Sequence, residues 1–179
     1  MILNDNEIIK KEILPRKSFF FNTTEKIRMV FSVFYLAISV FFILSGSPVI
    51  FFGIILFFVG LYLAVFRWVL EYFDIRNNYY LITNQRIIIA KKSTHEIEKE
   101  KALKEIVQIN AEMNGNFFGN IIFGEPEGIF GRNDEPFSFF NRSGMSFKED
   151  QYAFLSVENT NEIIPVFGEL GFKVTKTFY

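Results

Sequence analysis

The sequence predicts an α+β protein with membrane helices: a two-helix transmembrane hairpin followed by a small β-barrel or β-sandwich that a C-terminal helix covers. Three observations predict this class. Residues 29–66 contain no Asp, Glu, Lys, Arg or His and are interrupted only at Ser45-Gly46-Ser47-Pro48. Short runs of β-branched and aromatic residues follow, separated by turn residues, which is typical of small β folds. A helix start signal at Asn159 follows the last of these runs.

The uncharged stretch divides into two spans, residues 29–45 and 48–66. At about 1.5 Å rise per residue they reach roughly 26 and 28 Å. A bilayer hydrocarbon core is about 30 Å thick, so each span just crosses it. Burying two helices that are apolar all round inside a soluble protein would need far more surrounding chain. We therefore expect residues 1–28 and 67–179 to lie outside the bilayer, as an N-terminal segment and a folded domain.

Basic residues flank the two spans, and the turn between them has no charge. They are Arg16, Lys17, Lys26 and Arg28 before the first span, and Arg67, Arg76 and Arg86 after the second. Because basic residues stay on the cytoplasmic side, both termini are expected to be cytoplasmic. Trp68, Tyr72 and the cluster Phe19–Phe21 are aromatic residues of the kind found at headgroup depth.

Small residues recur seven positions apart within each span. Ser32 and Ser39 share one face of the first span, and Gly53 and Gly60 share one face of the second. Such residues let helix backbones approach closely, so we expect the two helices to pack on each other, with a dimer contact as the alternative. The spans hold no charged residue of the kind that marks an ion path or proton relay.

The chain after the second span predicts three antiparallel strands in close succession. Glu71–Arg76 is expected as a strand, with Asn77-Asn78 as a two-residue turn into the next strand, Tyr79–Thr83. Asn84-Gln85 then turns the chain into the strand Arg86–Ala90.

Later segments give weaker signals. For His95–Lys101 and Leu103–Asn110 the pattern does not separate helix from strand. Gly119–Gly124, Phe137–Phe140 and Gln151–Val157 are expected as strands.

The chain ends in a predicted helix. Asn159 with Glu162 forms a capping box that opens the helix, which runs to about Leu170 and contains Pro165. Candidate core residues of the domain are Phe137, Phe139, Phe154, Leu155, Ile163, Val166 and Phe167. Residues 71–179 are expected to fold as a separable domain.

Composition limits the function. The formal net charge is −1, with six basic and four acidic residues in 1–28, which leaves 13 and 16 in 67–179. An acidic domain disfavours nucleic-acid binding. The chain has no cysteine, and its one histidine, His95, lies in a charged stretch that is expected to be exposed. We therefore predict no catalytic residue, no metal site and no cofactor.

The segment Tyr79–Ile89 carries a resemblance to a known family. Its hairpin Tyr80-Leu81-Ile82-Thr83-Asn84-Gln85-Arg86-Ile87 directly follows a two-span hairpin, and this arrangement resembles the bacterial pleckstrin-homology domain proteins. The family hairpin residues are matched by Tyr80, Thr83, Asn84 and Arg86. The resemblance implies a pleckstrin-homology-like fold in a multi-pass protein of the bacterial inner membrane. Within the hairpin, Thr83 and Asn84 can close the turn, and Arg86 can pair with an acidic neighbour or reach lipid headgroups.

These expectations favour a membrane-anchored binding or scaffolding module rather than an enzyme. Membrane lipids are the expected partners, and a protein partner or a second copy of the chain stays open. The alternatives are a domain that binds lipid or a small molecule, and an accessory subunit of a membrane transporter or hydrolase. Candidate membrane-surface contacts are Arg67, Arg76, Arg86, Lys91 and Lys92.

Overall fold

A computed structural model describes residues 3–46, 50–124 and 152–179. The described residues form two compact units. The helical unit contains residues 23–46 and 50–71, and the β unit contains residues 3–22, 72–124 and 152–179.

Two long apolar helical segments account for the predicted spans. Helix α1 is Thr23–Leu44 and helix α2 is Ile50–Leu61. A π-helical turn, Tyr62–Phe66, joins α2 to helix α3, Arg67–Asn77. The segments Glu25–Leu44 and Ile50–Asn77 are each long and apolar enough to cross a membrane, and only 12% of the most apolar window of each is buried.

The helices α1 and α2 pack through their small residues. Among the residues of these two helices whose burial is described, the buried ones are Ser32, Ser39, Gly53 and Gly60. A Cβ atom added at Gly53 would lie 3.0 Å from Cβ of Phe42. The expected close approach of the two helices is thus confirmed. Large apolar side chains instead face outward, among them Phe31, Phe34, Phe41, Phe51 and Phe58.

The β unit contains two sheets of four strands. The first sheet has the antiparallel order β1-β2-β3-β4, with β1 at Ile9–Ile13, β2 at Asn78–Thr83, β3 at Arg86–Lys91 and β4 at Ile97–Ala102. The second has the order β7-β6-β5-β8, with β5 at Ile109–Met113, β6 at Gly119–Phe123, β7 at Ala153–Val157 and β8 at Val174–Phe178. Strand β8 runs parallel to β5, whereas the other neighbouring pairs of this sheet are antiparallel.

The core lies where alternate residues of both sheets meet helix α4, Thr160–Glu169. Because successive side chains of a strand point to opposite faces, Tyr80 and Ile82 enter this core, whereas Tyr79 and Leu81 join a smaller apolar cluster on the other face. The candidate core residues Phe154, Ile163 and Phe167 are buried, and Val166 packs against them while partly buried. Leu155 is half-buried, and Phe137, Phe139 and the predicted strand Phe137–Phe140 lie outside the described residues.

The first predicted hairpin of the domain is wrong. Glu71–Arg76 is helical and belongs to α3, and Asn77 ends that helix directly before β2. Adding a residue to an existing helix is easier than starting new structure, so the helix continues past the apolar stretch despite the β-forming residues Tyr72 and Phe73. The second turn, Asn84-Gln85, is confirmed, since Ile82 pairs with Ile87 across it.

The structure also assigns the two segments for which the sequence did not separate helix from strand. Residues 97–102 form β4, Leu103–Glu105 is a short 3-10 turn, and β5 begins only at Ile109. The start of α4 differs from the predicted capping box: Asn159 has a left-handed backbone with φ of 51° and makes no side-chain cap hydrogen bond. The hydroxyl of Thr160 instead donates to the carbonyl of Phe117 at 2.8 Å. Gly171, with φ of 86°, follows the end of the helix as expected.

Strands β1 and β8 were not predicted from the sequence. Strand β1 reads Ile-Lys-Lys-Glu-Ile and precedes α1, yet it pairs with β2, with Ile13 opposite Tyr80. The expected boundary at residue 67 therefore does not separate the folded domain from the N-terminal segment. Residues 71–179 alone lack one strand of the first sheet.

Candidate functional site

The family hairpin residues form a tight turn between β2 and β3. The hydroxyl oxygen of Thr83 accepts the backbone N–H groups of Gln85 at 3.1 Å and Arg86 at 2.9 Å. The predicted role of Thr83 in closing the turn is confirmed. Tyr80, three residues before Thr83 in β2, stacks on Phe154 in the core with ring centroids 4.6 Å apart.

The exposed side of this turn binds the N-terminal segment. Asn84 accepts the N–H of Ile8 through Oδ1 at 2.8 Å and donates through Nδ2 to the carbonyl of Asn6 at 3.1 Å. Gln85 donates to the carbonyl of Asp5 at 2.9 Å. The residues that resemble the family motif therefore contact this chain's own N-terminus.

A buried ion pair completes this attachment. Nε and Nη2 of Arg86 donate to the two carboxylate oxygens of Glu7, each at 2.9 Å, and Nη1 donates to Glu100. The Glu7 side chain is 0% exposed and that of Arg86 is 11% exposed. Of the two roles expected of Arg86, the structure shows the pairing with an acidic neighbour, because two carboxylates of the β unit hold its guanidinium. No local pattern in the sequence indicates that Glu7 is the partner of Arg86, because the two residues are 79 positions apart.

The protonation of this pair follows from its contacts. Burial on its own raises the pKa of Glu7, but hydrogen bonds from Arg86, the Asn4 backbone and Thr83, together with the charge of Arg86, outweigh burial and hold the pKa below its usual value. Hydrogen bonding to Glu7 raises the pKa of Arg86, so the guanidinium stays charged. Glu7 is therefore an anion at neutral pH.

This shift predicts acid sensitivity. A carboxylate with a lowered pKa stabilises the fold above its ordinary pKa, near 4.5, and loses that contribution as the pH falls through its pKa in the folded state. Thermal unfolding of the full chain in detergent, followed by near-ultraviolet circular dichroism, should show this loss. Glu7→Gln is the matched control, since it cannot ionise. An equally steep acid decline in Glu7→Gln would show that other carboxylates are responsible.

The N-terminal segment continues from the first sheet onto the second. The N–H of Arg16 donates to the carbonyl of Ser156 at 2.8 Å, and the Ser156 hydroxyl donates to the carbonyl of Ser18 at 2.6 Å. Asn22 donates to the buried carboxylate of Glu112 at 2.7 Å. We call residues 4–22 the N-terminal latch, because they contact both sheets before the chain enters α1.

An aromatic cluster lies at the end of the latch. The ring of Phe19 lies 5.9 Å from Phe21 and 6.0 Å from Tyr72 of α3. The Tyr72 ring lies 6.3 Å from Phe73, which is 51% exposed. The cluster therefore joins the residues that precede α1 to those of α3.

Basic side chains lie beside this cluster. The ammonium of Lys92 donates to the carbonyl of Arg76 at 3.2 Å, next to the end of α3. Burial, and then repulsion from Lys17, lower the pKa of Lys92. Arg76 and Lys91 are exposed, and Arg67 begins α3. Of the predicted surface contacts, the fold thus brings Arg76 and Lys92 together and adds Lys17.

No protein-family model, curated protein or solved structure matches this chain. The resemblance to the bacterial pleckstrin-homology domain proteins therefore stays a prediction. Within the described parts of the chain, no group of three His, Asp or Glu residues could hold a metal ion. His95 is exposed, and its Nδ1 lies 3.3 Å from the Tyr79 hydroxyl.

Proposed function

We propose that this protein is a membrane-anchored binding or scaffolding module of a bacterial inner membrane and that it performs no catalysis. Helices α1 and α2 cross the bilayer as a hairpin. The β unit, with a pleckstrin-homology-like fold, lies on the cytoplasmic face and binds its partner there.

The packing of the hairpin supports its insertion in lipid. Ser32, Ser39, Gly53 and Gly60 are buried, while large phenylalanines face outward. A helix pair of a water-soluble protein buries its large apolar side chains, because that burial drives folding. In a bilayer the lipid is as apolar as those side chains, and small residues at the helix contact allow close packing instead.

One arrangement supports the topology most directly. Strand β1 precedes the two apolar helices, strand β2 follows them, and the two strands form one antiparallel ladder. Strands that pair must lie on the same side of a membrane. The chain between them therefore crosses the bilayer twice if it crosses at all, and the flanking basic residues favour the cytoplasm as the shared side.

The arrangement of sheets and helix supports the pleckstrin-homology-like fold. The β unit has two four-stranded sheets, and helix α4 packs Ile163 and Phe167 into the core that they enclose. Strand β8 follows the helix and pairs in parallel with β5, so it departs from the expected C-terminal helix as the last element.

Because the β unit is anchored, it can bind partners in the membrane without a high intrinsic affinity for them. Confinement to the membrane raises the effective concentration of the β unit toward partners in the same membrane. The first sheet ends in the charged strand β4, and an extended segment of a protein partner can add to such an edge.

Cysteine labelling tests the proposed topology, since the chain has no cysteine of its own. Single cysteines are placed at Lys10 in β1, at Ser47 between the helices, and at Val107, which is 95% exposed in the β unit. The protein is expressed in a bacterial inner membrane, and spheroplasts are treated with an impermeant maleimide. We expect only Ser47→Cys to react before lysis, and all three variants to react after it.

Reaction of Lys10→Cys and Val107→Cys in intact spheroplasts, with Ser47→Cys protected, would reverse the orientation. Protein that leaves the membrane fraction during a carbonate wash would refute the anchor itself. Crosslinking in the native membrane followed by mass spectrometry then identifies the partner, and a recovered protein would favour scaffolding over small-molecule binding.

A further inference from the structure

We propose that one surface of the β unit docks onto anionic phospholipid headgroups, so that the unit is held against the bilayer rather than only tethered to it. This surface, the basic aromatic surface, consists of Lys17, Phe19, Phe21, Tyr72, Phe73, Arg76 and Lys92. The inference rests on the proposed membrane anchor and adds to it a lipid class and an oriented domain.

The aromatic part of the surface suits the headgroup region. Phe21 and Phe73 expose much of their rings to the surroundings, and Phe19 and Tyr72 support them through ring contacts at 5.9 to 6.3 Å. Exposed aromatic side chains cost free energy in water, whereas the membrane interface accommodates their large rings.

The position of the surface in the chain places it next to the lipid. Phe21 lies two residues before the start of α1, and Tyr72 lies in α3, which continues α2 after one π-helical turn. The contact of Phe19 with Tyr72 therefore joins the two segments through which the chain leaves the β unit for the apolar helices. A surface at both points of exit adjoins the bilayer whenever the hairpin is inserted.

The charge of the surface selects the headgroup. Tyr72 and Phe73 lie four and three residues before Arg76, which places all three on one side of α3. Lys92 donates to the Arg76 carbonyl and lies within the field of Lys17. A phosphate between these cations relieves their mutual repulsion.

Neighbouring charges limit which lysines contribute. Lys99 and Lys91 both lie within the field of Asp74, whose carboxylate offsets part of their charge. The described residues of the β unit carry 13 basic and 12 acidic side chains, so the unit as a whole is close to neutral. A basic surface on a nearly neutral unit gives docking a direction, because an anionic bilayer attracts this surface more strongly than the rest of the unit.

The test uses the full chain in nanodiscs of phosphatidylcholine, with or without phosphatidylglycerol. Phe21→Cys carries an environment-sensitive dye, and shallow spin-labelled lipids quench the dye when it is docked. We expect quenching to increase with phosphatidylglycerol and to decrease with salt. Since each basic residue near an anionic surface contributes about 1 kcal/mol, Lys17→Gln with Lys92→Gln should lower the docked-to-undocked ratio roughly 25-fold. Lys92→Arg keeps the charge and should dock normally.

The matched control is Lys10→Gln with Lys176→Gln, which removes two exposed lysines from strands β1 and β8. It should leave quenching unchanged. Equal quenching in both lipids, or an equal loss in the control, would overturn the docking surface while the anchor stands. Protein that does not float with the lipid after a carbonate wash would instead refute the anchor.

Discussion

Replacing Glu7 by alanine should destabilise the β unit by about 3–5 kcal/mol, since removing one partner of a buried ion pair leaves the other charge buried and uncompensated. Both terminal nitrogens and Nε of Arg86 are engaged by carboxylates, and Glu7 supplies two of those contacts at 2.9 Å. Hydrogen exchange of the full chain in detergent, read at the amides of β2 and β3, measures the loss of protection.

An exposed ion pair of the same latch provides the control. Arg16 and Glu158 lie 3.5 Å apart with more than half of each side chain exposed. Glu158→Ala should cost no more than about 1 kcal/mol, as is usual for surface pairs. If Glu7→Ala and Glu158→Ala had equal effects on exchange, the buried pair would not be what attaches the latch. Replacing Glu7 and Arg86 together by apolar residues should recover part of the loss.

Truncating Phe154 to alanine should cost about 3–5 kcal/mol, because the core loses a large apolar group and keeps a cavity. Phe154 is fully buried, stacks on Tyr80 at 4.6 Å and meets the ring of Phe123 edge-on at 4.7 Å. Chemical unfolding of the full chain, followed by near-ultraviolet circular dichroism, measures the change.

Leu155→Ala is the neighbouring control. Leu155 is half-buried on the opposite side of β7, so its truncation should cost clearly less. If Phe154→Ala and Leu155→Ala lowered the free energy of unfolding equally, Phe154 would not be the residue of β7 that faces the core.

The latch changes how the domain can be studied. A fragment of residues 71–179 lacks β1 and Glu7, and so leaves Arg86 without two of its hydrogen bonds. The β unit is thus assembled from chain on both sides of the apolar helices.

Local chemistry explains what the sequence alone could predict. The absence of charge over residues 29–66 determined two apolar helices, and the seven-residue spacing of Ser32, Ser39, Gly53 and Gly60 determined which faces pack. Thr83 and the residues after it determined the turn between β2 and β3, because its bonds are formed within three residues. Such features depend on neighbours in the chain, and the sequence displays those neighbours directly.

Tertiary structure decided what depends on distant partners. The charged strand β1 forms only because β2 offers a ladder, and Arg86 lies in the interior because Glu7, 79 positions away, neutralises it. The helical state of Glu71–Arg76 follows from continuing α2, although its residues also suit a strand. Glu112 gains its role only through its hydrogen bond from Asn22, which is 90 positions away in the sequence. Pairings across such distances depend on the assembled fold, because no local periodicity or turn residue encodes them.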